Sequence, residues 1–193
     1  MSTPTPEEAR QALVDIDVIS RQVRQAVRGD GLVSNILMLW GVLWMLIFTC
    51  GYLAIPRVVP IIWGLNGLGV MATAFLMARR GMQVRSATGN RLGMQLAFFW
   101  VVVMVYAIAL PLCLGLPSWP TRLALMLSVV MLGYVIQGVW MKDRIFIVLG
   151  LFITVVLLIC HAWLTVPAFL LALGLLGGGG LLAGGLAVRL GWR

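Results

Sequence analysis

IFIVLGLFITVVLLICHAWLTVPAFLLALGLLGGGGLLAGGLAV, residues 145–188, lies between Arg144 and Arg189 and carries no formal charge. About 20 apolar residues span the hydrocarbon core of a bilayer, so a stretch of this length holds two crossings. His161 and Pro167 mark the turn between them. A soluble helix hides an apolar stripe rather than a fully apolar surface, so a soluble fold does not accommodate such a run.

Working outward, the same reading covers nearly every residue after Asp30. Six crossings are predicted, at residues 31–55, 58–78, 92–114, 123–141, 145–163 and 166–188. Pro56 and Arg57 end the first, Arg79 the second and Lys142 the fourth. The expected fold is all-α: residues 31–193 form a six-helix transmembrane domain, preceded by a segment, residues 1–30, outside the membrane. The three spans that return from the far side open near Pro60, Pro120 and Pro167, and proline is favoured at a helix start.

The chain is 62% hydrophobic and 10% charged, far below the roughly 25% charged residues of a soluble domain. Its net charge of +8 therefore points to topology and anionic lipid headgroups rather than to nucleic acid. Polar residues behind Met1, with no apolar run close by, predict that no signal peptide is cleaved. Arg10, Arg21, Arg24, Arg28, Arg79, Arg80, Arg85, Arg91, Lys142, Arg144, Arg189 and Arg193 fall on one side, against Arg57 and Arg122 on the other. This asymmetry predicts that both termini are cytoplasmic.

Residues 6–28 read as an amphipathic surface helix. Thr5 and Glu8 form a capping box around Pro6, and Glu7 and Arg28 sit at the ends that the helix dipole favours. Ile16, Ile19, Val23 and Val27 fall on one face at spacings of three and four, a stripe suited to lipid or to a docking partner.

All six acidic residues, Glu7, Glu8, Asp15, Asp17, Asp30 and Asp143, and all fourteen basic ones lie outside the predicted spans. Proton relays and cation sites rest on ionisable groups inside the membrane, so a carboxylate-based transporter is not expected. Nor does the chain offer an acid-base pair or an activated nucleophile, and we assign it no catalytic residue, cofactor or metal. Cys50, Cys113, Cys160 and His161 fall at similar depth, and they would make a Cys3His site only if their helices converge. Buried apolar cysteines are the plainer reading.

Asn66, in Gly64-Leu65-Asn66-Gly67, is expected to bond to a neighbouring helix or, alternatively, to a solute. Gly174, Gly178, Gly180 and Gly184 form small-xxx-small patterns that allow close helix packing, within the chain or with another copy. Gly177 to Gly180 make that helix pliant, and no Lys-Ser or Lys-Thr follows to make a phosphate loop. Trp40 and Trp44 lie deeper than an aromatic belt and read as packing residues.

Between Leu13 and Phe48, an Arg-bearing amphipathic stretch leads into Leu39-Trp40-Gly41-Val42-Leu43-Trp44. This run, about a fifth of the chain, resembles a loosely defined group of small uncharacterised bacterial six-span inner-membrane proteins. The resemblance implies that setting and carries no activity. Two functional classes follow from the residues. One is a non-enzymatic accessory subunit or scaffold, docking partners through residues 6–28 and the glycine face of the sixth span. The other is a small oligomeric transporter or channel for a neutral or apolar solute, lined by Asn66, Tyr106 and Tyr134.

Overall fold

The computed structural model describes residues 31–53, 58–81 and 87–190, together with Glu7, Arg10, Gln11, Asp15 and Pro56. The amphipathic helix expected over residues 6–28, with Ile16, Ile19, Val23 and Val27, otherwise lies outside the described residues. The described chain is all-helical: α1 (Leu32–Leu53), α2 (Val58–Gly81), α3 (Ala87–Cys113), α4 (Trp119–Met141), α5 (Arg144–Trp163), α6 (Val166–Ala172), a π-helical segment (Leu173–Gly178) and α7 (Gly179–Arg189). α6, the π segment and α7 together make the sixth crossing. Among the described residues six stretches are long and apolar enough to cross a membrane: Leu32–Leu53, Val59–Arg79, Gly93–Cys113, Trp119–Met141, Arg144–Trp163 and Val166–Arg189. The chain is therefore a multi-pass membrane protein.

Local chemistry sets the helix ends. α4 begins four residues earlier than the apolar pattern alone predicts, because Ser118 caps it and accepts from the Thr121 amide, with proline in the first turn. Arg122 is thereby drawn into the helix, and its Nε donates to the Leu116 carbonyl at 2.6 Å. At the other end Lys142 takes a left-handed conformation (φ 52°), an uncommon choice for a residue with a side chain. It closes α4, and the Asp143 carboxylate then accepts from the Ile145 amide to start α5. Two residues thus turn the chain, and α4 and α5 form a tight antiparallel hairpin.

The helices pack in a definite order. α2 lies on α1, α1 on the sixth crossing, the sixth crossing on α5, α5 on α4, and α4 on α3. The core runs through the middle members, with Leu37, Ile47, Met131, Ile153, Leu157 and Leu173 at or below 1% exposure. Only 11% of the crossing stretch of α2 and 17% of that of α3 are buried, against 50% for α4, so α2 and α3 are the uncovered edges.

α1 and the sixth crossing meet backbone to backbone. A Cβ placed on Gly41 would stand 2.8 Å from the Leu182 amide nitrogen and 2.9 Å from the Gly178 carbonyl oxygen. One on Gly178 would meet the Gly41 carbonyl oxygen at 2.8 Å, and one on Gly185 the Ser34 carbonyl oxygen at 3.0 Å. Ser34, Gly41 and Gly178, Gly185 recur at seven-residue intervals, so two antiparallel backbones meet along a seam of small residues. The sequence pattern predicts one continuous helix across residues 166–188; the structure inserts the π segment, rare in length and geometry. It falls where Gly174, Gly177 and Gly178 remove the side chains that would otherwise obstruct a widened turn.

Gly41→Ala should cost about 1–3 kcal/mol, because the added methyl meets backbone that cannot rotate aside. Gly64→Ala, with nothing within 4 Å of its added methyl, should leave stability within about 0.5 kcal/mol or raise it. Thermal unfolding of the two variants in one detergent checks the contrast.

Candidate functional site

A polar group left unpaired in hydrocarbon costs several kcal/mol, so the polar side chains inside the spans show what the bundle needs. Ser34 Oγ donates to the Gly185 carbonyl at 2.7 Å and joins α1 to the sixth crossing. Trp40 Nε1 donates to Thr73 Oγ1 at 3.0 Å and joins α1 to α2. Trp100 Nε1 donates to Gln137 Oε1 at 2.9 Å and joins α3 to α4, while Gln137 Nε2 reaches Met141 Sδ at 3.6 Å. Ser128 and Thr154 donate to carbonyls of their own helices. Among the described residues, every buried side-chain nitrogen or oxygen has a partner.

The candidate solute-lining residues enter three different surroundings. Asn66 Nδ2 donates at 2.7 Å to the Ile62 carbonyl, one turn back in its own helix, not to the neighbouring helix expected of it. Tyr106 is 63% exposed on the outer side of α3. Tyr134 is buried between Trp100 and Phe146, with ring centroids 5.2 Å and 5.8 Å away.

The cysteines do not meet as the metal-site expectation requires. Cys50 is half-buried on α1, Cys113 exposed on α3 and Cys160 buried on α5, and all three are free thiols. Among the described residues no three His, Cys, Asp or Glu side chains come together. The reason is the packing order: the sixth crossing separates α1 from α5, and α3 packs on α4. His161 stands edge-on to Phe169 at 5.5 Å, beside a crevice of about 240 Å³ that Ser118 and Pro120 also line.

The glycines of the sixth crossing are occupied within the chain, and this corrects the expectation that their face is free to dock partners. Gly174 and Gly178 lie against Phe48, Met45 and Gly41 of α1. Gly180 and Gly184 lie against Phe152 and Leu149 of α5. Gly185, the partner of Ser34, belongs to the same seam and was not among the glycines the sequence patterns single out.

The free small-residue face is elsewhere. Ile62, Gly69 and Thr73 turn α2 toward α1. On the other side of α2, Gly64, Gly67, Ala74 and Ala78 fall at helical spacing with Pro60 and one larger side chain, Met71, on the same face, and all six are exposed. Gly64 and Gly67 have nothing within 4 Å of an added Cβ. In lipid such a stripe lets a second helix backbone approach closely, because dispersion contact replaces the missing hydrophobic drive. The sequence carried this signal in its heptad-like spacing, hidden because the glycines around Asn66 read as one local cluster.

Against known proteins, the chain matches no family model, no curated protein and no solved structure.

The Trp100–Gln137 bond should be measurable as a coupling. Trp100→Phe and Gln137→Leu should each destabilise the protein, and the double variant should lose less than their sum by about 0.6–2 kcal/mol, the range for polar contacts between membrane helices. Reversible unfolding of the four proteins tests it, and strict additivity would remove the bond's energetic role.

Proposed function

We propose that this chain is a non-enzymatic accessory subunit or scaffold of a membrane complex, set in the inner membrane of a bacterium with both termini in the cytoplasm. The observation that carries the reading is the exposed small-residue stripe on α2, which presents a helix-docking face on the least covered helix of the bundle. The internal polar groups agree with it. Three of them fasten α1 to the sixth crossing, α1 to α2 and α3 to α4, which is the use a structural subunit makes of them. The orientation rests on the twelve-to-two division of basic residues, and the bacterial setting on the resemblance of the Leu13 to Phe48 run. Residues 6–28 supply a second docking element on the cytoplasmic side, through Ile16, Ile19, Val23 and Val27.

Native mass spectrometry of the protein extracted from its own membrane in mild detergent tests the reading. A complex containing a second polypeptide is expected. A monomer or homo-oligomer holding a small neutral molecule would replace this reading with the transporter. Gly67→Leu should reduce recovery of the second polypeptide at least tenfold, about 1.4 kcal/mol, while abundance stays normal. Ile16→Asp with Val23→Asp should do the same if the surface helix docks the partner. Undiminished association in both variants overturns the docking role of both surfaces.

A further inference from the structure

Beside the α1–α2 contact a groove of about 490 Å³ opens laterally from the bundle. Met38 and Val42 of α1 and Ala72, Phe75 and Leu76 of α2 give it apolar walls, and Asn35 is the polar residue among its described lining. These positions recur at intervals of three and four on each helix, so the groove follows both axes for about two turns.

The polar end of the groove can be located from the helix register. Trp40 bonds to Thr73, and Gly69 abuts Leu43, so α1 and α2 run antiparallel. Five residues back from Trp40 is Asn35, and five residues on from Thr73 is Ala78. Asn35 therefore stands level with Ala78 and Arg79. Arg79 also continues the face of α2 that carries Ala72, Phe75 and Leu76, seven, four and three residues before it. Both Asn35 and Arg79 are exposed, and neither side chain has a hydrogen-bond or ion-pair partner among the described residues. The N-terminus of α1, one turn from Asn35, adds its partial positive charge at the same level.

We infer that this groove binds an anionic phospholipid, its acyl chain lying along Met38, Val42, Ala72 and Phe75 and its phosphate meeting Arg79 and Asn35. The match is of two kinds in one molecule. Apolar walls open to the bilayer receive a hydrocarbon chain, and a guanidinium and a carboxamide at the charged end receive the phosphate oxygens. A neutral apolar solute would use the walls and leave the polar end unmatched. A transmembrane helix fits the small-residue stripe on the far side of α2 better than these larger side chains.

The test uses the full chain in vesicles of equal parts phosphatidylglycerol and phosphatidylcholine with matched acyl chains. After transfer to mild detergent, native mass spectrometry counts the retained lipid. Retention of phosphatidylglycerol over phosphatidylcholine is expected. Arg79→Gln should lower it about fivefold, the weight of one basic side chain at an anionic surface. Arg189→Gln, an exposed basic residue beside the same end of α1, should leave it unchanged. Ala72→Trp should fill the groove and remove the retained lipid, provided its melting temperature and helicity match the parent; Arg79→Gln carries the test if they do not. Equal retention of the two lipids by the parent, or undiminished phosphatidylglycerol in Arg79→Gln, overturns the site. So does a rise in retained lipid when residues 1–29 are removed, because that segment would then be the occupant.

Discussion

Everything in this bundle is arranged around one close approach, that of the α1 backbone to the backbone of the sixth crossing. Where Gly41 faces Gly178 and Ser34 faces Gly185, no side chain separates the two helices. Water drives helices together in soluble proteins, but lipid tails are as apolar as leucine, and association must come from contact and hydrogen bonding. Bare backbone against bare backbone maximises the first. The Ser34 hydroxyl on the Gly185 carbonyl supplies the second at the point of contact. The π segment belongs to the same device. It lies opposite Trp44, Met45 and Phe48, and a widened turn is accommodated where glycines leave room for those large side chains.

The remaining helices attach to this pair by variations on the same theme. α5 approaches the other side of the sixth crossing, with the Leu149 and Phe152 side chains filling the space above Gly184 and Gly180. α4 reaches α5 through Gly138 and Gly150, whose added Cβ atoms would meet the Ile147 amide and the Met131 carbonyl, each at 2.8 Å. The outermost contacts depend more on polar fasteners, Trp40 to Thr73 for α2 and Trp100 to Gln137 for α3. Contact thus shifts from backbone against backbone at the centre to glycine against side chain, with one hydrogen bond each, at the two edges.

The sequence made the six crossings legible because charge and hydropathy mark them independently of tertiary contact, and the observed bounds differ by a few residues. α3 begins five residues before its apolar run, at Ala87, and α4 four residues before its own, where Ser118 caps the helix. Helix partners were not legible, because a small-xxx-small pattern states that something approaches without stating what. Gly174 and Gly178 chose α1 while Gly180 and Gly184 chose α5, a split that the common pattern conceals. Equal depth likewise could not say whether Cys50, Cys113 and Cys160 share a neighbourhood, since depth fixes one coordinate and the packing order the other two. Asn66 had two ways to satisfy its amide, and a local carbonyl four residues back is always within reach in a helix.

The packing order also constrains where another helix could join. Among the described residues α1, the sixth crossing, α5 and α4 each have close neighbours on two sides, whereas α2 and α3 each have one close neighbour. Yet α2 and α3 are consecutive in the chain, and residues 82–86 limit the separation of Gly81 and Ala87 to about 20 Å, the reach of six peptide steps. The C-terminal end of α2 and the N-terminal end of α3 therefore lie near each other. The uncovered face of α2 borders the bilayer. Acyl chains can cover that face, but a flexible chain gains less from a bare glycine backbone than a rigid helix does, because ordering it costs more entropy for the same contact. Small residues at a regular spacing on the exposed side of α2 are thus spent to little purpose on lipid, and to considerable purpose on a helix.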